Sequence, residues 1–186
     1  MFSLTQFELS VLDWISEHLS CGFLDAVMPA ITFLGDGGWF WIAIAVVMLL
    51  FKKTRKTGLM MGVALLCGLL VGNLFLKPVV ARVRPYDVNT AVQLLIEKPH
   101  DFSFPSGHTL ASFEAAVVLF AREKKYIGIP ALVLASLVAF SRMYLYVHYP
   151  TDILGGILLG TAFAFFGIWL VNKLWNYFKT KKKQKT

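Results

Sequence analysis

The chain has 186 residues, of which 57% are hydrophobic, and its mean hydropathy is +0.65. Average soluble domains contain about 45–50% apolar residues, so this composition excludes a disordered chain and an ordinary water-soluble fold. The formal net charge is +7, but the basic residues are clustered in short segments, which argues against a nucleic-acid partner. The two cysteines stand alone in apolar surroundings and indicate neither a disulfide framework nor a zinc site.

Residues 1–35 form a first segment with its own pattern. Apolar residues recur there at helical spacing, while acidic residues occupy the intervening face, as is typical of an amphipathic helix. A second apolar piece, residues 23–34, carries Asp25 and Pro29. We predict two helices that lie at the membrane interface. The alternative is that these two helices pair as one broken sixth span. The periodic apolar positions are Leu4, Phe7, Val11, Leu12, Ile15 and Leu19.

Five apolar runs follow in residues 36–178, which we predict to be the transmembrane domain. A helix that crosses a bilayer needs about 20 mainly apolar residues. Three runs meet this length, and the first and third reach it when the flanking Lys and Arg side chains extend to the headgroups. We therefore predict an all-α integral-membrane helical bundle with five to six transmembrane helices. The runs are 38–51, 57–76, 107–121, 127–146 and 153–175.

The basic residues predict how the chain is oriented. Thirteen of the 18 fall into three groups: after the first run, after the third run and at the end of the chain. Alternating spans place all three groups on one side, which the positive-inside rule makes cytoplasmic. We predict a multi-pass cell-membrane protein with a cytoplasmic C-terminus and a basic tail, residues 179–186, that contacts anionic lipid. The remaining basic residues, on the outer side, are Lys77, Arg82, Arg84, Lys98 and Arg142.

Three separated stretches on the outer side carry polar residues of unusual type. They are residues 77–85 after the second run, 104–108 before the third run, and 141–152 between the last two runs. Taken singly, each has an ordinary explanation as a helix-end cation, a helix cap or a set of interfacial aromatics. Their polar members are Lys77, Arg82, Arg84, Ser106, His108, Arg142, His148 and Asp152.

Together, the three stretches have the composition of a phosphoryl-transfer site. Arginine suits bidentate phosphate recognition, and a glycine backbone at a helix start favours an anion. Of two histidines, one can act as the nucleophile and the other can deliver a proton, and an aspartate can orient one of them. The sequence therefore predicts that the stretches meet in one outer pocket that binds a phosphate.

In order and spacing, three motifs resemble the complete signature of the type 2 phosphatidic acid phosphatase (PAP2) superfamily. The high hydrophobicity makes the chain similar to the small bacterial membrane enzymes of that superfamily and not to its soluble members. The resemblance covers residues 77–152 by motif and implies a lipid phosphatase. The motifs are Lys77-x6-Arg84-Pro85, Pro105-Ser106-Gly107-His108 and Ser141-Arg142-x5-His148-x3-Asp152.

The resemblance implies a role for each motif residue. His148 would attack phosphorus and form a phosphohistidine, with Asp152 orienting it. His108 would protonate the leaving oxygen and then activate water. The family implies no metal and no cofactor. The implied phosphate ligands are Lys77, Arg84, Ser106, Gly107 and Arg142, with Arg82 as a possible further ligand.

The implied substrate is a lipid phosphate or prenyl diphosphate that is hydrolysed at the outer face. That orientation favours undecaprenyl diphosphate, with phosphatidylglycerol phosphate and phosphatidate as alternatives. The competing class is a non-enzymatic lipid-binding or transporter-type membrane protein. The expected partners are the lipid substrate and membrane lipids, without nucleic acid, and we expect a monomer or a weak homodimer. Two Gly-x3-Gly pairs, at 68–72 and 156–160, permit close helix contact, which we assign first to packing within a monomer.

Overall fold

The computed structural model of the chain describes residues 4–183, and this range is all-helical, without a strand, as predicted. Residues 1–3 and 184–186, at the ends of the predicted N-terminal segment and basic tail, lie outside the described residues. The predicted boundaries at residues 35 and 178 stay predictions. The helices are α1 (Leu4–Leu19), α2 (Gly22–Phe33), α3 (Trp39–Leu50), α4 (Arg55–Cys67), α5 (Lys77–Val80), α6 (Pro85–Val88), α7 (Gly107–Arg122), α8 (Lys125–Tyr144) and α9 (Pro150–Lys183).

Three helical stretches in the described range are long and apolar enough to cross a membrane: Arg55–Val88, Lys125–Tyr144 and Pro150–Lys181. A bent pair of helices makes a fourth if its two parts are counted as one broken span. We predicted five to six spans because each apolar run was counted as one span, which is more than the structure has. The difference lies mainly in α7, which has 16 residues and is enclosed by α4, α8 and α9.

The bent pair consists of Gly22–Phe33 and Asp36–Leu50, with an angle of 43° between the two parts. The bend falls at a 3₁₀ turn, Asp36–Gly38, where Gly37 and Gly38 have φ values of 55° and 70°. Glycine adopts positive φ at little cost. The second N-terminal helix therefore continues into the first apolar run, whereas our alternative had paired it with the first N-terminal helix.

Small residues allow neighbouring helices to approach α7 closely. Ala115 and Ala116 of α7 are fully buried. A Cβ added to Gly160 of α9 would lie 2.7 Å from the backbone oxygen of Leu110. All four glycines of the two Gly-x3-Gly pairs face α7, which confirms the predicted packing within the chain.

Helix α1 packs against the segment that joins α8 to α9. Leu12 and Ile15 are buried there in a cluster that includes Tyr146. Glu8 lies on the same face and is 1% exposed, which corrects the prediction for this residue, since we expected it on the acidic face between the apolar positions. Its carboxylate is buried because it accepts a 2.5 Å hydrogen bond from Arg82.

Candidate active site

The three predicted stretches meet at one end of the bundle, around a cavity of about 540 Å³. Each stretch lies where a long helix begins or ends, so the ends of the central helices bring them together. Both imidazoles line this cavity, as the sequence predicts. Its lining includes the motif residues Lys77, Arg84, Gly107, His108, Arg142 and His148.

His148 is buried in the turn between α8 and α9. Its Nδ1 lies 3.5 Å from Asp152 Oδ2, and its Nε2 lies 3.2 Å from Arg84 Nη1. Catalytic contacts are often this long before substrate binds. Burial, and then the charges of Arg84 and Arg142, lower the pKa of His148 well below its ordinary value. The ring is therefore neutral at neutral pH, and Nε2 carries a lone pair at the cavity when Nδ1–H faces Asp152.

Local sequence explains how Asp152 reaches this histidine. Pro150 begins α9, where its missing N–H costs nothing. Two residues later, Asp152 Oδ2 accepts the Tyr149 backbone N–H at 2.9 Å, as acidic side chains in the first helical turn commonly do. The same oxygen accepts the Ser103 hydroxyl at 2.5 Å. The carboxylate is thus held rigidly beside the ring by a helix start and a loop.

Lys77 and Arg84 flank a break in the helix, where Ala81 has a φ of 47°. Both cations bind the carboxylate of Asp101, and Arg84 Nε also donates to the Asp101 backbone oxygen at 2.7 Å. Burial alone would raise the pKa of Asp101, but the hydrogen bond and charge of Lys77 together with Arg84 lower it to about 2. Two of the predicted phosphate ligands are therefore paired with a carboxylate of the protein itself.

Ser106 and His108 lie at the start of α7. The Ser106 hydroxyl caps the helix by accepting the Thr109 N–H at 3.4 Å, and it is fully buried. His108 Nε2 lies 2.7 Å from Asp36 Oδ1, on the turn between α2 and α3. The motif thus contributes a ring and the backbone of Gly107 to the cavity, while the serine side chain is used in the cap.

Arg142 is 2% exposed and lines the cavity from the last turn of α8. Its Nη1 donates to Thr32 Oγ1 at 2.6 Å, whereas its Nε has no hydrogen-bond partner. Within residues 4–183, it forms no ion pair with a carboxylate. A buried cation without a counter-charge is costly unless an anion binds it.

The structure places Arg82 apart from the cavity-lining cations. Its guanidinium donates to Asp152 Oδ1 at 2.6 Å and to Glu8 Oε2 at 2.5 Å, and it lies 4.0 Å from the centre of the Tyr149 ring. The second face of Asp152 is therefore held by an arginine that is itself held by α1. This arrangement makes Arg82 a support of the aspartate.

Sequence reasoning missed four acidic or hydroxyl residues at the site: Glu8, Asp36, Asp101 and Ser103. One had a readable signal, because Glu8 lies four residues from both Leu4 and Leu12 and so shares their helix face. The other three lie in turns and loops, where no periodicity exists. Across the part of the chain that the structure describes, His, Cys, Asp and Glu residues form no cluster of three or more suited to a metal ion.

Comparison with known proteins places these features in a family. The model of the PAP2 superfamily matches residues 56–176. An undecaprenyl-diphosphatase of Sulfolobus acidocaldarius is 35% identical over 130 residues, which is 70% of this chain and 63% of that protein. The undecaprenyl-diphosphatase BcrC of Bacillus subtilis is 31% identical, over 81% of this chain and 76% of the relative.

The fold agrees with this match. The crystal structure of a PAP2-type phosphatidylglycerolphosphate phosphatase from Bacillus subtilis superposes with a TM-score of 0.73 at 28% identity, over 95% of this chain and 88% of that one. The chain belongs to the PAP2 superfamily. The class predicted from the sequence, a helical membrane phosphatase, is thereby confirmed.

Proposed function

We propose that the chain releases phosphate from a membrane lipid through a phosphohistidine on His148. The observation that carries this proposal is the cavity itself, which is lined by the rings of His108 and His148 and by the predicted phosphate ligands. Among these ligands Arg142 is buried, and it has no carboxylate partner among the described residues. Catalysis of phosphoryl transfer rests on positioning and on stabilising charge, and this set provides both.

In the first step, the Nε2 lone pair of His148 attacks phosphorus while the bond from phosphorus to the leaving oxygen breaks. His108 gives a proton to that oxygen, and Asp152 stabilises the positive charge that develops on His148. In the second step, His108 accepts a proton from water as the water oxygen attacks phosphorus. The P–N bond breaks, and inorganic phosphate leaves.

The phosphate oxygens would be held by the side chains of Lys77, Arg84 and Arg142, with the backbone of Gly107 as a neutral donor. Arginine matches phosphate geometry with paired N–H groups. The buried hydroxyl of Ser106 contributes by fixing the start of α7. Arg82 contributes by fixing Asp152.

A lipid substrate is supported by an apolar groove of about 500 Å³ that joins the cavity. The two share Lys77, Gly107 and His108, so a phosphate in the cavity would be continuous with a chain in the groove. Among lipid phosphates we favour undecaprenyl diphosphate, because two relatives are undecaprenyl-diphosphatases. Phosphatidylglycerol phosphate and phosphatidate are the alternatives, and a Bacillus subtilis relative named phosphatidylglycerophosphatase B supports the first of these. The apolar side chains of the groove include Ile42, Val46, Leu65 and Leu69.

We place the cavity at the outer face of the cell membrane and the C-terminus in the cytoplasm, on the distribution of basic residues. We expect a monomer or a weak homodimer, since the Gly-x3-Gly pairs are already occupied by α7.

The test uses purified protein in detergent, with a chelator present. We expect phosphate release from undecaprenyl diphosphate, phosphatidylglycerol phosphate or phosphatidate. This release should vanish in His148→Ala and fall about 10²–10⁴-fold in His108→Ala, the usual contribution of a general acid. The matched control is His18→Ala, because His18 is exposed and stacks on Trp14.

Unchanged release in His148→Ala would refute the assigned nucleophile. Absence of release from all three lipids by the unaltered protein would favour a lipid-binding protein. The relative kcat/KM values identify the preferred substrate.

A further inference from the structure

We propose that Asp36 is the positioning residue of His108, and that it holds this ring in the tautomer and charge state that proton delivery needs. The proposal rests on the proposed function. Asp36 Oδ1 lies 2.7 Å from His108 Nε2, although the two residues are 72 positions apart. Asp36 also precedes the region matched by the family model, residues 56–176.

The turn that carries Asp36 is shaped to receive the ring. A Cβ added to Gly35 would lie 2.6 Å from His108 Cδ2, so only glycine leaves room for the imidazole at this position. Gly37 and Gly38 then take positive φ values, which direct the chain from α2 into α3. Trp39 Nε1 closes the turn with a 2.9 Å hydrogen bond to the Phe33 backbone oxygen. The carboxylate is therefore held at the ring by backbone geometry.

The charges around His108 explain why a carboxylate is needed there. Burial, and then the charges of Arg142 on α8 and Lys77 on α5, lower the pKa of His108 and disfavour the protonated form that a general acid must adopt, whereas the hydrogen bond and charge of Asp36 raise this pKa. Among the groups that the structure describes, Asp36 is the carboxylate that hydrogen-bonds this ring. Arg84, His148 and Asp101 line the same cavity, but within the described residues none of them hydrogen-bonds the His108 ring.

The contact also assigns the two nitrogens of the ring. Because Nε2–H donates to Asp36, Nδ1 is the nitrogen that exchanges protons. In the first step the Nδ1–H bond breaks and the proton passes to the leaving oxygen, while Nε2–H stays on the carboxylate. In the second step a water proton moves to Nδ1. Asp36 itself keeps its charge throughout and touches no reacting atom.

The test compares two leaving groups in Asp36→Asn, assayed in detergent with a chelator. Dioctanoyl phosphatidate releases an alkoxide that needs a proton, whereas p-nitrophenyl phosphate releases a stable phenolate. We expect kcat/KM for dioctanoyl phosphatidate to fall about 10–100-fold, part of the 10²–10⁴-fold that a general acid contributes. For p-nitrophenyl phosphate we expect a change of less than about 3-fold, because little proton transfer is needed there.

The ratio of the two kcat/KM values does not depend on the amount of folded protein, so partial misfolding leaves it unchanged. The matched control is Asp87→Asn, since Asp87 is paired with Lys98 at 2.7 Å and half-exposed. We expect this control to leave both values unchanged. An equal loss on both substrates, or no loss on either, overturns the role of Asp36 while the phosphatase activity stands. If the unaltered protein does not hydrolyse dioctanoyl phosphatidate, undecaprenyl diphosphate or phosphatidylglycerol phosphate takes its place as the substrate whose leaving group needs a proton. An unaltered protein that is inactive on p-nitrophenyl phosphate and on all three lipids refutes the proposed function, and the role of Asp36 with it.

Discussion

Among single residues, Arg142 shows how function costs stability. Its guanidinium is buried, has an unsatisfied Nε and lacks a carboxylate partner within residues 4–183. Burying an unpaired charge is unfavourable, and apolar replacement of buried ions is often neutral or stabilising. We therefore expect this position to be kept for binding the phosphate of the substrate.

We predict that Arg142→Met keeps or raises the melting temperature in detergent while it lowers phosphate release at least about 100-fold, as loss of a charge-stabilising group does. Inorganic phosphate should raise the melting temperature of the unaltered protein and not that of the variant. The control is Arg122→Met, which alters an exposed arginine at the end of α7. A variant that unfolds more easily and keeps its activity would contradict this view.

The carboxylate of Asp101 forms ion pairs with two of the proposed phosphate ligands, Lys77 and Arg84. Its pKa is lowered to about 2, so its charge and both ion pairs are complete at neutral pH. They contribute stability above the ordinary aspartate pKa, and this contribution is lost only as the pH falls toward 2. If Lys77 and Arg84 bind the substrate as we propose, its phosphate competes with this carboxylate at neutral pH.

We predict that Asp101→Asn lowers the inhibition constant of inorganic phosphate about 3- to 10-fold, because the half-exposed Asp101 contributes little to stability and its loss frees two cations. Competitive inhibition of lipid hydrolysis measures this constant at neutral pH. Weaker inhibition in the variant would show that Asp101 organises the cations and does not compete with phosphate.

At the level of helices, contact distance depends on individual glycines. Gly58 and Gly62 lie one turn apart on α4 and are chemically identical. A Cβ at Gly58 would lie 2.7 Å from the Ala45 backbone oxygen of α3, whereas a Cβ at Gly62 has no heavy atom within 4 Å. Backbone cannot move aside as a side chain can, so only the first glycine is required by packing.

We predict that Gly58→Ala destabilises the protein by about 1–3 kcal/mol, the usual cost of overpacking a core. Gly62→Ala is the matched control, and it should leave the melting temperature unchanged or slightly raised because alanine favours the helix. Thermal unfolding of both variants in the same detergent makes the comparison. Equal effects of the two substitutions would contradict the close approach of α3 and α4.

For the molecule as a whole, the N-terminal helices pack at the end of the bundle where the candidate active site lies. Glu8 of α1 binds Arg82, and Asp25 of α2 accepts a 2.6 Å hydrogen bond from Tyr144 at the last residue of α8. Cys21, at the junction of α1 and α2, is exposed and lies one turn from Asp25. This thiol therefore reports on which side of the membrane the cavity faces.

We predict that a membrane-impermeant maleimide labels Cys21 in intact cells that express the chain. Cys21→Ser should abolish the labelling, because the remaining Cys67 lies at the end of α4, inside the first long span. Labelling that requires permeabilised cells would place the cavity on the cytoplasmic side and contradict the proposed orientation.

Much of the fold and of the site can be predicted from the sequence, because a membrane restricts the structures that a chain can adopt. Long apolar runs must be helices, and their ends must lie at one of two surfaces. Lys77, His108 and His148 all stand at the ends of apolar runs, and alternating runs predict that these ends lie on one side. The prediction holds although α7 is too short to count as a span, because both of its neighbours in the chain are helices that begin or end beside it. The motif spacings add the chemistry, as the shared cavity shows.

Only the tertiary structure reveals which groups support these residues. Asp36 and Asp101 lie in turns that have no periodicity, and their contacts depend on where a glycine turn and a loop pass over the bundle. Glu8 and Arg82 meet because α1 rotates one face onto the start of α9. Helix rotation and loop path are set by packing between segments far apart in the chain, and a pattern read along one segment does not contain that information.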